Sequence, residues 1–321
     1  MKGGRFGMED ISEAIERGLL VRSVQDLDLR KNTGLFIKVA ILSETKSFFI
    51  CRNNEPTETT AETFHNYDRV VVPGPKWRGA ERATALTMFR WADAINQEYN
   101  RNAVTRKILL KNPVSLIYGD SSTGSEREAA SIASRCYYDW SYSYEPLGAV
   151  TERFIHNSLS DTGTILMDKE GKVQRNAIYN VQYIKPGVKF VRFISLENAS
   201  LDILKVVIAA TIRTTRYGAR TSILGDNMQN TILAIGFSKG DRSITSYSVM
   251  EEAWNSDSWE PEKLIIEQMK SSYGNDFLTG NALESFLNEV KSLSSNREEM
   301  RTLSSQFVSK MEQDWSDFWK V

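Results

Sequence analysis

The strongest concentration of phosphate-binding chemistry is Arg213-Thr214-Thr215-Arg216-Tyr217-Gly218-Ala219-Arg220-Thr221-Ser222. Phosphate oxygens are met best by forked guanidinium donors, hydroxyls and exposed backbone amides. This block offers all three, and Tyr217 adds a ring. Arginines three and four apart would share one face at a helix end. Cations at a helix C-terminus also favour the macrodipole, so phosphate binding and helix-end electrostatics both stand open for this block. A second basic group is Lys76-Trp77-Arg78-Gly79 with Arg82. It follows Pro73-Gly74-Pro75 and opens a helix. Backbone amides there suit an anion, and Trp77 suits stacking on a base. The competing reading is a solvated loop whose Trp caps the core.

Catalytic groups are sparse. The two histidines, His65 and His156, stand in no metal or triad motif. Gly119 to Ser125, GDSSTGS, lacks the Gly-Lys-Ser/Thr ending of a P-loop. Asp26 and Asp28 are two apart and would share a face of a strand, where such a pair could position a metal or a water. A charged loop explains them more cheaply. The two cysteines, Cys51 and Cys136, make neither a zinc site by themselves nor a disulfide framework. No metal and no cofactor are expected.

The chain has 321 residues, 41% of them apolar and 25% charged, with a formal net charge of -1. These values are ordinary for a globular protein. A near-neutral chain must build any nucleic-acid face by local clustering. The first twenty residues lack the apolar segment of a signal peptide. No stretch approaches the roughly 18 apolar residues of a membrane span. The expected location is the cytoplasm, without membrane contact.

The elements that must position these groups follow from periodicity and punctuation. Ile11 to Leu20 reads as a short helix ended near Gly18. Leu35 to Ile41 reads as a buried strand, hairpinned with Phe48 to Cys51. Asn53 to Thr63 reads as a loop, and Arg69 to Val72 as a strand stopped by the Pro-Gly-Pro turn. A helix is predicted from Glu81 to Tyr99. A strand bulged at Pro113 is predicted from Ile108 to Tyr118, then a flexible loop at GDSSTGS and a helix from Glu126 to Tyr138. Phe154 to Tyr183 reads as a protruding β-hairpin turning at Asp168-Lys169-Glu170-Gly171. Val188 to Leu196, Leu201 to Thr214 and Thr231 to Phe237 form a strand–helix–strand unit, with Ser200 as N-cap and Gly218 as C-terminal stop. From Ser246 the chain is mostly helical. The fold class is α+β, with a core over residues 1–245, a hairpin at about 151–183 and a helical portion over 246–321 packed on the core.

Tyr183-Ile-Lys-Pro-Gly-Val-Lys-Phe190, Ile212-Arg-Thr-Thr-Arg-Tyr-Gly-Ala-Arg-Thr-Ser222 and Asn230-Thr-Ile-Leu-Ala234 occur in this order. In that order they resemble the backbone subunit of type I-D CRISPR Cascade complexes. Arg69 to Arg82 looks like that family's basic connector, and Asp161-Thr-Gly-Thr164 like a further element. The resemblance covers roughly Cys51 to Phe237.

The resemblance implies an RRM-like, ferredoxin-like core and a non-catalytic role. Several copies would polymerise along one guide RNA (crRNA), and a thumb hairpin would displace a guide nucleotide at intervals. Base pairing would read the target nucleic acid, which is DNA, with RNA as an open second target. The partners would be crRNA, other copies of the chain and other Cascade subunits, including a large nuclease subunit. RNA contacts would fall to Arg52, Lys76, Trp77, Arg78, Arg82, Arg213, Arg216, Tyr217 and Arg220. Phe154, Ile165 and Met167 would wedge between bases, or else pack on the next subunit or on the hairpin's own base. Many relatives carry a cysteine-containing insertion, thought to bind zinc, near the position of GDSSTGS. Tyr118 to Glu126 holds no cysteine, so no structural zinc is expected. Two enzymatic alternatives remain. One is target-RNA cleavage through a loop aspartate, Asp26 or Asp28, as in type III relatives. The other is guide processing through His65 or His156.

Overall fold

A computed structural model describes residues 7–52, 55, 57–157, 178–218 and 225–320. Asp10 caps α1 (Ile11–Glu16), its carboxylate accepting from the amides of Ser12 and Glu13. A 3-10 turn over Val24–Asp26 leads into β1 (Leu35–Thr45). β2 (Ala61–Phe64) and β3 (Tyr67–Val72) pair as a hairpin and feed α2 (Gly74–Trp91). Then come α3 (Pro113–Tyr118), β4 (Asp120–Ser122), β5 (Ala130–Ile132), β6 (Cys136–Tyr138), β7 (Ser141–Tyr142) and α4 (Leu147–Val150). β8 (Thr151–Asn157) and β9 (Ile178–Ile184) pair antiparallel as a separate ribbon. β10 (Lys189–Glu197), α5 (Leu201–Arg213) and β11 (Met228–Lys239) follow. The chain continues through α6 (Ser246–Ser256), α7 (Pro261–Tyr273), β12 (Phe277–Leu278), α8 (Gly280–Ser295), α9 (Arg297–Asp314) and α10 (Ser316–Trp319).

The main sheet runs β12-β11-β1-β10-β6, and every neighbouring pair is antiparallel. β10 and β11 therefore run parallel to each other with β1 between them, and β1 and β6 likewise flank β10. Two strand–helix–strand units, β1-α2-β6 and β10-α5-β11, interleave in one sheet. β1 alternates poorly because both of its faces are buried. Ile37, Val39 and Ile41 point into the larger core with α2, α5, α8 and α9. Ala40 and Leu42 point into a second core against α6 and α7. A strand covered on both sides loses the apolar–polar alternation of a half-exposed one. No helix among the described residues is long and apolar enough to cross a membrane.

Several local expectations are corrected. Phe48 to Cys51 does not hairpin with β1; Phe49 bridges Ile184 at the root of the β8–β9 ribbon instead. The Asn53 to Thr63 segment ends in β2 rather than staying a loop. α2 begins before Glu81 and ends at Trp91, because Pro73 caps it and Pro75 sits in its first turn, where a missing N–H costs nothing. Gly74 is needed there, since a Cβ would lie 2.1 Å from the Tyr138 carbonyl oxygen. The predicted strand at Ile108 to Tyr118 is a 3-10 turn and α3. Asn112 caps α3 by accepting from Ser115, and Pro113 opens it rather than bulging a strand. The predicted helix at Glu126 to Tyr138 is instead β5 and β6. α5 is capped at Thr214, not at Gly218, and the Ser200 side chain makes no cap hydrogen bond. The turn at Asp168 to Gly171 and the Asp161 to Thr164 element lie outside the described residues.

One buried polar network pins both helices to the sheet. Glu81 of α2 and Arg192 of β10 form a fully buried ion pair. The Glu81 carboxylate also accepts from the hydroxyls of Tyr217, Tyr138 and Thr211, each at 2.8 Å. Arg192 Nη1 donates to Ser43 Oγ at 3.0 Å and to Asn230 Oδ1 at 3.1 Å, and its guanidinium lies 4.2 Å from the Trp77 ring centroid. Burial alone would lower the Arg192 pKa, but the Glu81 charge and the surrounding tyrosines outweigh it and hold it above the ordinary value. Breaking a buried pair by neutralising one partner leaves the other charge desolvated. Glu81→Gln is therefore expected to cost about 3–5 kcal/mol of unfolding free energy, read from denaturant midpoints at unchanged m-value. A loss below about 1 kcal/mol, the scale of an exposed pair, would mean that the network is dispensable.

Candidate nucleic-acid interface

The two basic groups of the sequence meet in space. A cleft of about 760 Å³ lies between the first turns of α2, the end of α5 with the segment after it, and Phe49 to Arg52. Lys76, Arg213 and Arg216 line it, joined by Arg52 and Arg101, with Asp226 as its acidic member. The α2 N-terminus opens here with no acidic residue in its first turn, so its positive dipole end adds to the cations. Lys76 is exposed, and among the described residues it makes no ion pair. Arg213 is held by hydroxyls: its Nε donates to Ser294 Oγ at 3.0 Å and its Nη2 to Ser295 Oγ at 2.8 Å. Neutral partners orient that guanidinium and leave its charge uncompensated. Arg216 differs, since its Nε donates to Asp226 at 3.1 Å. The Thr215 hydroxyl and Arg216 together hold the Asp226 carboxyl below its usual range.

The block from Arg213 to Gly218 divides by side chain. Arg213, Thr215 and Arg216 face the cleft. Thr214 is buried, bonding the Ala210 carbonyl and the Thr84 hydroxyl of α2, each at 2.7 Å. Tyr217 is 4% exposed, and its hydroxyl belongs to Glu81. Asn227 fixes its backbone by accepting from Tyr217 N at 2.9 Å and donating to Tyr217 O at 2.8 Å. Gly218 has φ +107, and a Cβ there would lie 2.8 Å from the Ile50 carbonyl oxygen, so only glycine closes this wall.

Other assigned contacts are corrected. Trp77 is 1% exposed. It stacks on Phe49 and meets Tyr217 edge-on, and its Nε1 donates to Ser141 Oγ at 3.2 Å. It caps the core and has no free face for a base. Tyr217 likewise offers no ring to RNA. Arg82 turns away from the cleft to Asp120 at 2.6 Å and to the Tyr99 hydroxyl at 3.1 Å. Arg78 does not line the cleft. It lies on the Cys136 side of α2, where its charge partly offsets the burial that raises that thiol's pKa. The three arginines do not share one helix face, because α5 ends at Arg213 and Arg220 lies outside the described residues. Arg101 was missed by sequence reasoning. It sits in a polar stretch without periodicity and reaches the cleft by donating to the Gly79 carbonyl at 2.9 Å.

The β8–β9 ribbon rises beside the cleft. Phe154 packs edge-on against Phe48 at 4.9 Å and against Tyr183 at 5.7 Å, and it remains 39% exposed. Ile155 is 68% exposed and carried no sequence signal beyond its place in a strand. Ile165 and Met167 lie outside the described residues. At the ribbon's root, Gln182 accepts from the Thr59 amide at 3.1 Å and donates to the Thr151 hydroxyl at 3.0 Å.

The enzymatic candidates stand apart from the cleft. Asp26 closes a 3-10 turn and Asp28 lies beyond it, so they share no strand face. Hydrogen bonds from Arg30 hold the Asp28 carboxyl down at about 2. His156 meets the Tyr183 hydroxyl at 2.8 Å, and His65 packs near the Trp254 ring. Cys51 and Cys136 are buried free thiols, and burial pushes Cys51 up to about 11. Among the described residues no three His, Cys, Asp or Glu side chains gather as a metal would need.

Comparison with known proteins places this architecture. In the crystal structure of Thermofilum pendens Csc2, 94% of that chain matches 92% of this one at 15% identity, with a TM-score of 0.57. That likeness is one of fold. A chain of a CRISPR RNA-guided surveillance complex in a pre-nicking state is matched over 90% of its length and 76% of this chain, at 9% identity and a TM-score of 0.47. A chain of another CRISPR RNA-guided surveillance complex is matched over 98% of its length and 81% of this chain, at 11% identity and a TM-score of 0.47. No curated protein matches the sequence. The sequence model of the family described as Csc2 Crispr matches residues 20–304, and the chain belongs to that family.

Proposed function

We propose that this chain is the guide-holding backbone subunit of a type I-D CRISPR Cascade effector complex. Several copies bind side by side along one crRNA and present it for pairing with target DNA. The single observation that carries the reading is the cleft in which Lys76, Arg213 and Arg52 converge from segments far apart in sequence. Backbone contacts of this kind grip a strand with little sequence preference. The strand order of the two interleaved units matches a ferredoxin-like, RRM-like core, which supports the same reading. So does the β8–β9 ribbon, whose exposed Phe154 and Ile155 suit the apolar wedge of a thumb. Family membership, and the RNA-guided complexes among the matched structures, give the expectation of crRNA, of other Cascade subunits including a nuclease subunit, and of sister copies as partners. A cytoplasmic location goes with that role.

Lys76→Ala combined with Arg213→Ala is expected to weaken binding of single-stranded guide RNA. It should also flatten the slope of log affinity against log salt by about 1.4, the share of two phosphate contacts on a single strand. Filter binding across a salt series reads both, and an unchanged slope in a folded double variant removes these residues from the interface. Co-expression with the neighbouring genes and a guide array should yield an assembly with several copies of this chain per crRNA by native mass spectrometry. A nucleic-acid-free monomer or dimer would refute the backbone role.

The subunit is proposed to have no nuclease step of its own. Asp28, one of the two loop aspartates, is already engaged by Arg30 and Lys31. Complementary RNA incubated with the assembled complex and a divalent cation should stay intact. Regularly spaced cuts abolished by Asp28→Ala or Asp26→Ala would overturn this.

A further inference from the structure

A second cavity, of about 470 Å³, lies at the opposite end of the main sheet from the cleft. Its walls come from the segment before β1, the end of β10, β6 and the last turns of the chain. β10 starts beside the cleft and ends at Glu197 on the cavity wall, which separates the two by roughly 26 Å of extended strand.

The cavity holds a charge that the fold leaves unmatched. Arg135 is 7% exposed. Its Nη1 donates to the Leu116 carbonyl at 3.0 Å, its Nε has no hydrogen-bond partner, and among the described residues it makes no ion pair. A guanidinium taken out of water without a carboxylate carries an uncompensated desolvation penalty. Burial accordingly lowers its pKa to about 10, still leaving it charged at neutral pH. An anion in the cavity would relieve this. Arg30 stands at the rim beside Lys31, with Asp28 between them.

The remaining lining mixes polar groups with aromatic rings: Glu197, whose carboxylate accepts from Asn32 Nδ2 and the Tyr137 hydroxyl, stands on the same wall. The Trp315 ring lies 5.9 Å from the Arg135 guanidinium, Phe318 packs against Trp315, and Tyr137 is half-exposed across the opening. Asn198, at a left-handed φ of 51°, carries a buried Oδ1 that accepts from no donor. A guanidinium without an ion-pair partner among the described residues, a carboxylate acceptor in Glu197 and aromatic rings together match a ligand with a phosphate, donor groups and a planar ring. The volume is in the range of small-molecule sites.

We propose that this cavity binds one nucleotide, its phosphate on Arg135 and its base against Trp315 and Tyr137, separately from the guide cleft. The same chemistry is carried by a free mononucleotide and by the 5′-phosphorylated end of a strand. The inference does not depend on the cleft reading.

Titration calorimetry on the full chain tests it with AMP, UMP, inorganic phosphate and a short 5′-phosphorylated oligonucleotide. Mononucleotide should bind at one site. Arg135→Met should weaken it about tenfold, the worth of one charge-assisted hydrogen bond, and Trp315→Leu should weaken the nucleotide more than phosphate. Lys76→Ala with Arg213→Ala should leave mononucleotide affinity unchanged, so a failed cleft and a failed cavity are told apart. Should Arg135→Met not fold, Arg30→Ala at the exposed rim and Trp315→Leu serve in its place. Competition of the oligonucleotide with AMP identifies a strand end as the ligand, and binding of AMP alone identifies a free nucleotide. No binding at millimolar AMP or UMP overturns the proposal. So does phosphate binding as tightly as nucleotide, or affinity lost in the cleft variant and kept in Arg135→Met and Trp315→Leu.

Discussion

The buried Glu81–Arg192 pair is the constraint on which the rest of this molecule turns. It joins seven parts of the chain. β1 contributes Ser43, α2 Glu81, β6 Tyr138, β10 Arg192, α5 Thr211, β11 Asn230, and the segment after α5 contributes Tyr217. Asn230 Nδ2 adds hydrogen bonds to the carbonyls of Thr211 and Thr214 and to the Tyr217 hydroxyl. A carboxylate with four donors and an arginine with three acceptors repay much of the desolvation that makes buried charge costly. An apolar core specifies one arrangement less strictly, since contacts among hydrocarbon side chains are not directional. This network is more demanding, because its hydrogen bonds are directional and every Arg192 guanidinium nitrogen but Nε is engaged in the observed arrangement.

That rigidity sets the cleft. Lys76 lies on α2 a little over one turn before Glu81, and Arg213 lies two residues after Thr211 on α5. With Glu81 and Thr211 bonded to each other, the two cations are held on opposite walls at a separation that packing alone would not specify. Tyr217 draws the following segment down onto Glu81 and so brings Thr215 and Arg216 to the rim. The polar core is therefore the positioning device for the surface charges, and loop residues gain the precision of the helices beneath them.

The readable parts of the sequence were those whose signals are local. β10-α5-β11 was legible because a long apolar helix lies between two apolar strands. The strand partner of β1 was not, since pairing with β10 and β11 joins residues more than 140 positions apart. Residues 108–118 are rich in Ile, Leu and Val, which favour strands, yet Asn112-Pro113 is a helix start and the cap prevailed. Residues 126–138 carry helix formers, but their short strands pair with β4 and β10, and three-residue strands have no period to detect. In the basic block the residue types were legible and the orientations were not. Trp77 and Tyr217 look like base-stacking rings until Glu81 and Arg192 are placed beneath them, and no local pattern carries that information.

A net charge of -1 does not decide whether a chain can grip a polyanion, because what matters is the partner each cation already has. Arg192 and Arg82 are spent on Glu81 and Asp120 inside the fold, so their charges are cancelled where they stand. Arg216 is half-spent on an exposed aspartate, a pairing that water and salt weaken and that a phosphate can displace. Arg213 is oriented by two serine hydroxyls. It has the geometric order of a paired residue and the full charge of a free one. Arg135 is held inside the far cavity by one carbonyl oxygen and an aromatic ring, and among the described residues it makes no ion pair. Composition counts all five alike. Orientation by neutral groups leaves an arginine's charge available, whereas a carboxylate partner cancels it within the fold.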